Sequence, residues 1–159
     1  MPCQVRGPFL VLAPLSTLAH WQREFETWTE MNAVVYHGSF ESRERIRASE
    51  FHFADQATNQ ATRGQYKFHA LITSYEVVKQ DLDHLRKVPW RYMVIDEAHR
   101  LKNKDSALAA DLRTLRYEHC HLLSGTPLQN NTTELWALLN FLDNVRPPCS
   151  GRGRRGEEP

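Results

Sequence analysis

Five short apolar runs alternate with stretches that suit helices, and this alternation constrains the chain more than any other feature. Phe9-Leu10-Val11-Leu12-Ala13, closed on both sides by Pro8 and Pro14, has the continuous apolar character of a strand buried on both faces. Val34-Val35-Tyr36, Ala70-Leu71-Ile72-Thr73, Tyr92-Met93-Val94-Ile95 and His119-Cys120-His121-Leu122-Leu123 read as four more strands. Between them, Leu18, Trp21, Phe25 and Trp28 fall on one helical face, expected to pack into the core, with Ser16 or Thr17 able to cap that helix. Residues 39–53 are polar and helix-permissive, 54–65 read as a surface loop, and 76–85 read as helical. Residues 106–115 place Leu108, Leu112 and Leu115 on one side of a helix. Asn131 with Glu134 makes a capping-box-like start to a last helix whose stripe is Leu135, Leu138, Leu139 and Leu142. Strands alternating with helices predict an α/β layer fold around a mostly parallel sheet. On such folds ligands sit beyond the carboxyl ends of the strands, so the residues just after each strand are the ones to inspect.

The strand at Tyr92-Met93-Val94-Ile95 delivers two adjacent carboxylates, Asp96 and Glu97, followed by Ala98 and His99. In a nucleotide hydrolase these carboxylates do different work. Asp96 holds Mg²⁺, through water, because that ion keeps several waters and uses few carboxylates. Glu97 orients or deprotonates the attacking water. His99 lies within reach of the next motif and can couple hydrolysis to movement. That motif, Ser124-Gly125-Thr126-Pro127-Leu128-Gln129-Asn130, also follows a strand directly. Small hydroxyl residues around a glycine suit a loop that packs close to the carboxylates and shifts with them, although an ordinary turn before a helix has a similar composition.

Two other strand ends offer backbone and hydroxyl donors: Ser16 and Thr17 within Pro14-Leu15-Ser16-Thr17-Leu18, and Thr73 and Ser74 before Tyr75-Glu76. Amide groups at a helix start favour a phosphate. Contacts of this kind track a nucleic-acid backbone without reading its sequence. Taken singly, each segment is also what a plain helix start looks like. His119 and His121 would share one face of a strand, as two ligands of a zinc site do, but no further Cys or His lies near them in sequence.

The formal net charge is only +1, so any contact with DNA has to be local. Cys3, Cys120 and Cys149 are odd in number and far apart, which fits a reducing compartment better than a disulfide framework. The apolar run after Arg6 has a faint likeness to a signal peptide, but Pro8 and Pro14 interrupt it and it leads straight into a patterned helix. No apolar run approaches the roughly 20 residues that a membrane-spanning helix needs.

Taken together, these segments resemble the first RecA-like (P-loop NTPase) lobe of superfamily-two chromatin-remodelling ATPases, and among them the chromodomain–helicase–DNA-binding class. Residues 7–142 carry the resemblance: Gly7-Pro8-Phe9-Leu10-Val11 through Pro14-Leu15-Ser16-Thr17, Trp21-Gln22-Arg23-Glu24-Phe25, Tyr36-His37-Gly38 with Ser42-Arg43, and Ile72-Thr73-Ser74-Tyr75-Glu76. Asp96-Glu97-Ala98-His99 stands as a DEAH box, continued by Arg100-Leu101-Lys102-Asn103, and residues 124–130 complete the set. The resemblance implies a DNA-dependent ATPase that uses ATP and Mg²⁺, moves along the DNA backbone and slides nucleosomes in the nucleus. It assigns catalysis to Asp96, Glu97 and His99, with Asp96 at the metal. Coupling falls to Ser124, Gly125 and Thr126, and DNA-backbone contact to Ser16, Thr17, Thr73 and Ser74. Its partners are DNA, the nucleosome and a second motor lobe.

The departures are as informative. The family grips ATP with a G-x-G-K-[ST] loop, whose amides cradle phosphate and whose lysine neutralises it. The seven glycines here are Gly7, Gly38, Gly64, Gly125, Gly151, Gly153 and Gly156, and none is followed by lysine. Residues 1–6 look unrelated to the family, and residues 143–159 form a basic, Pro/Gly-rich tail expected to be disordered. The expectation is a lobe incomplete at its N-terminal side and inactive in hydrolysis by itself. A non-hydrolysing short isoform that binds DNA or a partner is the first alternative. A fragment of another superfamily-two motor, such as an RNA helicase, is the second; the Pro-Leu-Ser-Thr and Ser-Gly-Thr-Pro-Leu-Gln-Asn segments favour the remodeller over it.

Overall fold

In the computed structural model, residues 7–54, 61–101, 107–125 and 132–143 are described. The expected start at 1–6 and the tail beyond 143 lie outside them, as do Asn131 and Thr126.

The described residues form seven strands and six α-helices, and the five strands of the main sheet follow the expected alternation. β1 (Phe9–Ala13), β2 (Ala33–Tyr36), β5 (Ala70–Ser74), β6 (Trp90–Ile95) and β7 (Tyr117–Leu122) form one sheet in the order β2-β5-β1-β6-β7. Every pairing in it is parallel: Val11 lies opposite both Ile72 and Val94, Val35 opposite Ile72, and Val94 opposite His121. β1 and β5 take inner places because nearly every one of their residues is apolar and buried. At the edge, β7 buries Tyr117 and exposes Glu118, His119 and His121.

Successive strand residues point to opposite faces, so the sheet has two cores. Leu10 and Leu12 of β1 join Tyr36, Leu71, Trp90, Met93 and Ile95 on one face. That face is covered by α3 (Tyr75–Gln80), α4 (Leu82–Leu85), α5 (Ala107–Arg113) and α6 (Thr132–Asp143). Val11, Ala13 and Ile72 turn the other way, towards Leu18, Trp21 and Phe25 of α1 (Leu18–Trp28). The largest buried side chain, Trp90, also satisfies its indole, donating Nε1–H to Leu85 O at 3.0 Å.

Several local expectations are corrected. Neither Ser16 nor Thr17 caps α1 with its side chain. Leu15–Thr17 instead make a 3-10 turn in which Thr17 gives both its amide and its hydroxyl to Pro14 O. Trp28 lies in the last turn of α1 at 78% exposure, its indole donated to Glu24 of the same helix rather than packed in the core. The 54–65 stretch is not all loop: β4 (Ala61–Tyr66) pairs antiparallel with β3 (His52–Ala54). The 39–53 stretch does hold a helix, α2 (Phe40–Ile46), continued by a π-helical turn (Arg47–Phe51) and capped by Ser39. Helix 76–85 divides at Asp81, whose φ of −116° and ψ of 24° leave the helical region. On α6 the inward edge is Leu138 and Phe141, and Leu135 and Leu139 of the leucine stripe are exposed.

Candidate functional site

β6 carries its two carboxylates out of the sheet at its carboxyl end. The Asp96 amide donates to Leu12 O on β1 at 2.8 Å, so the residue starts from a fixed backbone position. Its Oδ1 accepts the Glu97 amide and its Oδ2 accepts Trp21 Nε1–H, both at 2.9 Å. The Tyr75 hydroxyl donates to Asp96 O. Glu97 has φ 51°, and among the described residues it is the only non-glycine with a positive φ. Left-handed backbone is unfavourable for a side chain of this type, and residues held there concentrate at functional sites. His99, on the 3-10 turn Ala98–Leu101, brings Nδ1 to 3.0 Å from Glu97 Oε2. The two atoms meet without hydrogen-bond alignment, and neither has a hydrogen-bond partner among the described residues.

The turn after β7 closes on this corner. Leu123 N donates to Ile95 O and Ala98 N to Leu123 O, each at 2.8 Å, locking the two strand ends together. A β-carbon on Gly125 would sit 3.6 Å from Glu97 Oε1, so the Ser124-Gly125 backbone lies directly against the glutamate. Thr126 is outside the described residues.

On the other side of β1, an open groove of about 600 Å³ runs along the same edge of the sheet. Pro14, Leu15 and Ser16 line it after β1, Ser74 and Glu76 after β5, and His37 and Gly38 after β2. Arg43 and Arg100 bring positive charge to its lining, and His37 Nδ1 is a buried nitrogen with no hydrogen-bond partner among the described residues. Arg43 is only 5% exposed and is held by Asp81: its Nε donates to Oδ2 at 2.7 Å, and its Nη1 donates to Gly38 O at 2.6 Å. Arg47 and the Tyr36 hydroxyl donate to the same Asp81 Oδ2. Burial alone would raise the Asp81 pKa, but hydrogen bonds from Arg43 and Tyr36 and the two guanidinium charges hold it below the usual value. Burial, reinforced by Asp81, pushes the Tyr36 phenol up to about 12. Two guanidinium groups share one carboxylate here, which leaves a net positive charge at the wall of the groove.

The structure therefore brings together Asp96, Glu97, His99, Ser124 and Gly125 in one corner, and Ser16 and Ser74 in the neighbouring groove. Thr17 is turned back onto Pro14 O and does not line the groove. Thr73 is corrected further: it is fully buried and gives its hydroxyl to Tyr36 O at 2.8 Å, so it cannot reach a ligand in the groove. His119 and His121 stack on the Tyr92 ring, with centroids 4.7 and 5.5 Å away, and burial pushes the Cys120 thiol between them up to about 12, far from thiolate character. Sequence reasoning missed Trp21 and Tyr75 as neighbours of Asp96, and Arg43, His37 and Arg100 as groove residues. The only signal for Trp21 was an aromatic on a helix that begins at the ligand edge.

A parallel five-stranded sheet flanked by helices, with its carboxylates and hydroxyls collected at the carboxyl edge, is a RecA-like α/β lobe. The SNF2-related domain model matches residues 2–147, and the chain belongs to that family. It is 53% identical over 144 residues to chromodomain-helicase-DNA-binding protein 7 of Homo sapiens, an alignment covering 91% of this chain and 5% of that protein. It is 51% identical over the same length to human chromodomain-helicase-DNA-binding protein 8, covering 6% of it. The chain thus spans only about one-twentieth of the length of these relatives. Among solved structures, the Sulfolobus solfataricus SWI2/SNF2 ATPase core in complex with dsDNA superposes with a TM-score of 0.68 at 28% identity, covering 87% of this chain and 25% of that one. Among the described residues, no helix is long and apolar enough to cross a membrane.

Proposed function

We propose that this chain is part of the ATP-hydrolysing motor of an ATP-dependent chromatin remodeller that translocates on DNA in the nucleus, working against a second motor lobe. The observation that carries this reading is the shared edge: a groove with a positively charged wall and the Asp96–Glu97 corner lie side by side at the carboxyl ends of one sheet. Ser16 and Arg100 contact a phosphodiester backbone in the groove, Ser74 stands at its buried floor, and Arg43 lends charge from within its wall. Ser124 and Gly125 sense the state of the carboxylates, a coupling role that the family resemblance extends to Thr126.

The residues present fit a hydrated Mg²⁺. Each Asp96 oxygen accepts one N–H and keeps a lone pair, and Glu97 Oε2 has no hydrogen-bond partner among the described residues. The ion would be held through Asp96 and would neutralise phosphate charge. Glu97 then orients the attacking water, and His99, whose Nδ1 lies 3.0 Å from Glu97 Oε2, is placed to couple hydrolysis to movement. The residues do not fit a full grip on ATP phosphates, because no glycine in the chain is followed by lysine. That fact supports a chain that does not hydrolyse ATP by itself.

The test is fluorescence anisotropy with a mixed-sequence DNA duplex, alongside an ATPase assay on the same chain. Weak, sequence-independent binding that falls steeply with salt is expected, because phosphate contacts release counterions. No DNA-stimulated turnover is expected. Salt-insensitive, sequence-selective binding would refute the backbone groove, and turnover abolished by Glu97→Gln would refute inactivity.

A further inference from the structure

We propose that Tyr75 and Trp21 are positioning residues that relay occupancy of the groove to Asp96; the inference rests on the reading of that groove as a phosphodiester site. Both residues sit on helices that begin at the groove. Tyr75 opens α3 immediately after Ser74, and Trp21 lies one turn into α1, after the Pro14–Thr17 segment. Neither lines the groove. Instead each reaches back to the same catalytic residue, Trp21 to its carboxylate and Tyr75 to its carbonyl.

Asp96 is thereby held by three other elements: β1 through Leu12 O, α1 through Trp21, and α3 through Tyr75. The Tyr75 side is also tied to the groove by charge. Arg100, which lines the groove, stacks over the Tyr75 ring at 5.0 Å, and its Nη1 lies 3.5 Å from Glu76 Oε1. A phosphate entering the groove competes with Glu76 for Arg100 and draws the guanidinium off the Tyr75 ring. Tyr75 is 3% exposed, and its hydroxyl donates to Asp96 O. Its movement is passed to Asp96 through a single hydrogen bond. The Trp21 indole, bonded to the other end of Asp96, registers the result.

Trp21 supplies its own reporter. The chain has four tryptophans and hence four indole N–H resonances in a ¹⁵N-labelled sample. Trp21→Phe identifies the signal of interest, and Trp90, bonded to Leu85 O within the core, serves as a control. On adding a short mixed-sequence duplex at low salt to the full chain, the Trp21 indole resonance should shift while that of Trp90 stays in place. Tyr75→Phe keeps the ring beneath Arg100 and removes only the hydroxyl. It should bind the duplex with an affinity within about twofold of wild type while the Trp21 shift falls by more than half. DNA binding with no Trp21 shift in the wild-type chain overturns the relay without any variant. An equal shift in Tyr75→Phe overturns the part assigned to Tyr75. If groove amides such as Ser16 and Ser74 do not respond to DNA at all, the reading of the groove fails first, and the relay fails with it.

Discussion

Replacing Asp81 with alanine gives the sharpest test of how the wall of the groove is built. Asp81 is 4% exposed and accepts from Arg43 at 2.7 and 3.3 Å, from Arg47 at 3.0 Å, and from the Tyr36 hydroxyl. Its loss leaves the 5%-exposed Arg43 guanidinium bonded to Gly38 O but with no counter-ion among the described residues. Removing one partner of a buried ion pair costs about 3–5 kcal/mol, most of it the penalty of the stranded charge. For a domain of this size each kcal/mol lowers Tm by roughly 2–4 °C, so the fall should be about 6–20 °C. Equilibrium urea denaturation followed by tryptophan fluorescence reads the loss directly. The double variant Asp81→Leu with Arg43→Met removes the two most buried charges and should lose less than Asp81→Ala alone, because only Arg47, the less buried of the two guanidinium groups, then loses its counter-ion. A loss below about 1 kcal/mol for Asp81→Ala, or a double variant worse than the single, would refute the argument that Asp81 compensates the buried Arg43 charge.

The same cluster predicts a stability profile that falls at both ends of the pH range. The Asp81 pKa is depressed in the folded chain, so its contribution is full above the unfolded value near 4 and is lost as pH falls below it. The Tyr36 pKa is raised to about 12, so its contribution is full below the unfolded value near 10 and is lost between about 10 and 12. Melts across pH should show both arms, with the alkaline arm flattened in Tyr36→Phe; an unchanged alkaline arm would count against the assignment. Glu97→Gly relieves the positive φ and should leave stability unchanged or raise it by up to about 1 kcal/mol, while removing the carboxylate at the corner. A loss above about 1 kcal/mol would mean that the strain is absent. Gly7→Ala drives a β-carbon into the carbonyl oxygen of His69, a backbone atom that also accepts the Phe9 amide. It should destabilise by about 2 kcal/mol or more, read as a lower urea midpoint, and a neutral effect would contradict that packing.

The main sheet was legible because its strands are short, apolar and separated by helix-length polar stretches, which is what a parallel sheet covered on both faces requires. The carboxylate corner was legible for a related reason: residues directly after such strands have nowhere to go but the ligand edge. What was missed depends on three-dimensional neighbours. β4 was unreadable because Ala61-Thr62-Arg63-Gly64-Gln65-Tyr66 has little apolar character and forms a strand by backbone pairing with β3. Thr73 and Ser74 look alike in sequence, but one lies inside the sheet and bonds Tyr36 O, while the other stands at its end and accepts the Val77 amide as a helix cap. The break at Asp81 is set by two arginines and a tyrosine from β2, α2 and the turn after it, none of them near it in the chain. Helical periodicity gave Trp21 and Trp28 the same face, yet one ends at Asp96 and the other in solvent, because only the first lies over the sheet.

The central claim is that the groove beside Asp96 receives a nucleic-acid backbone, and mapping amide shifts as duplex DNA is titrated into the ¹⁵N-labelled chain at low salt tests it most directly. The account predicts that the largest shifts fall on Ser16, Gly38, Ser74, Gln80 and Arg100, and that they vanish as salt is raised. Shifts confined to β7 and α6, or none anywhere at DNA concentrations that saturate binding, would contradict it.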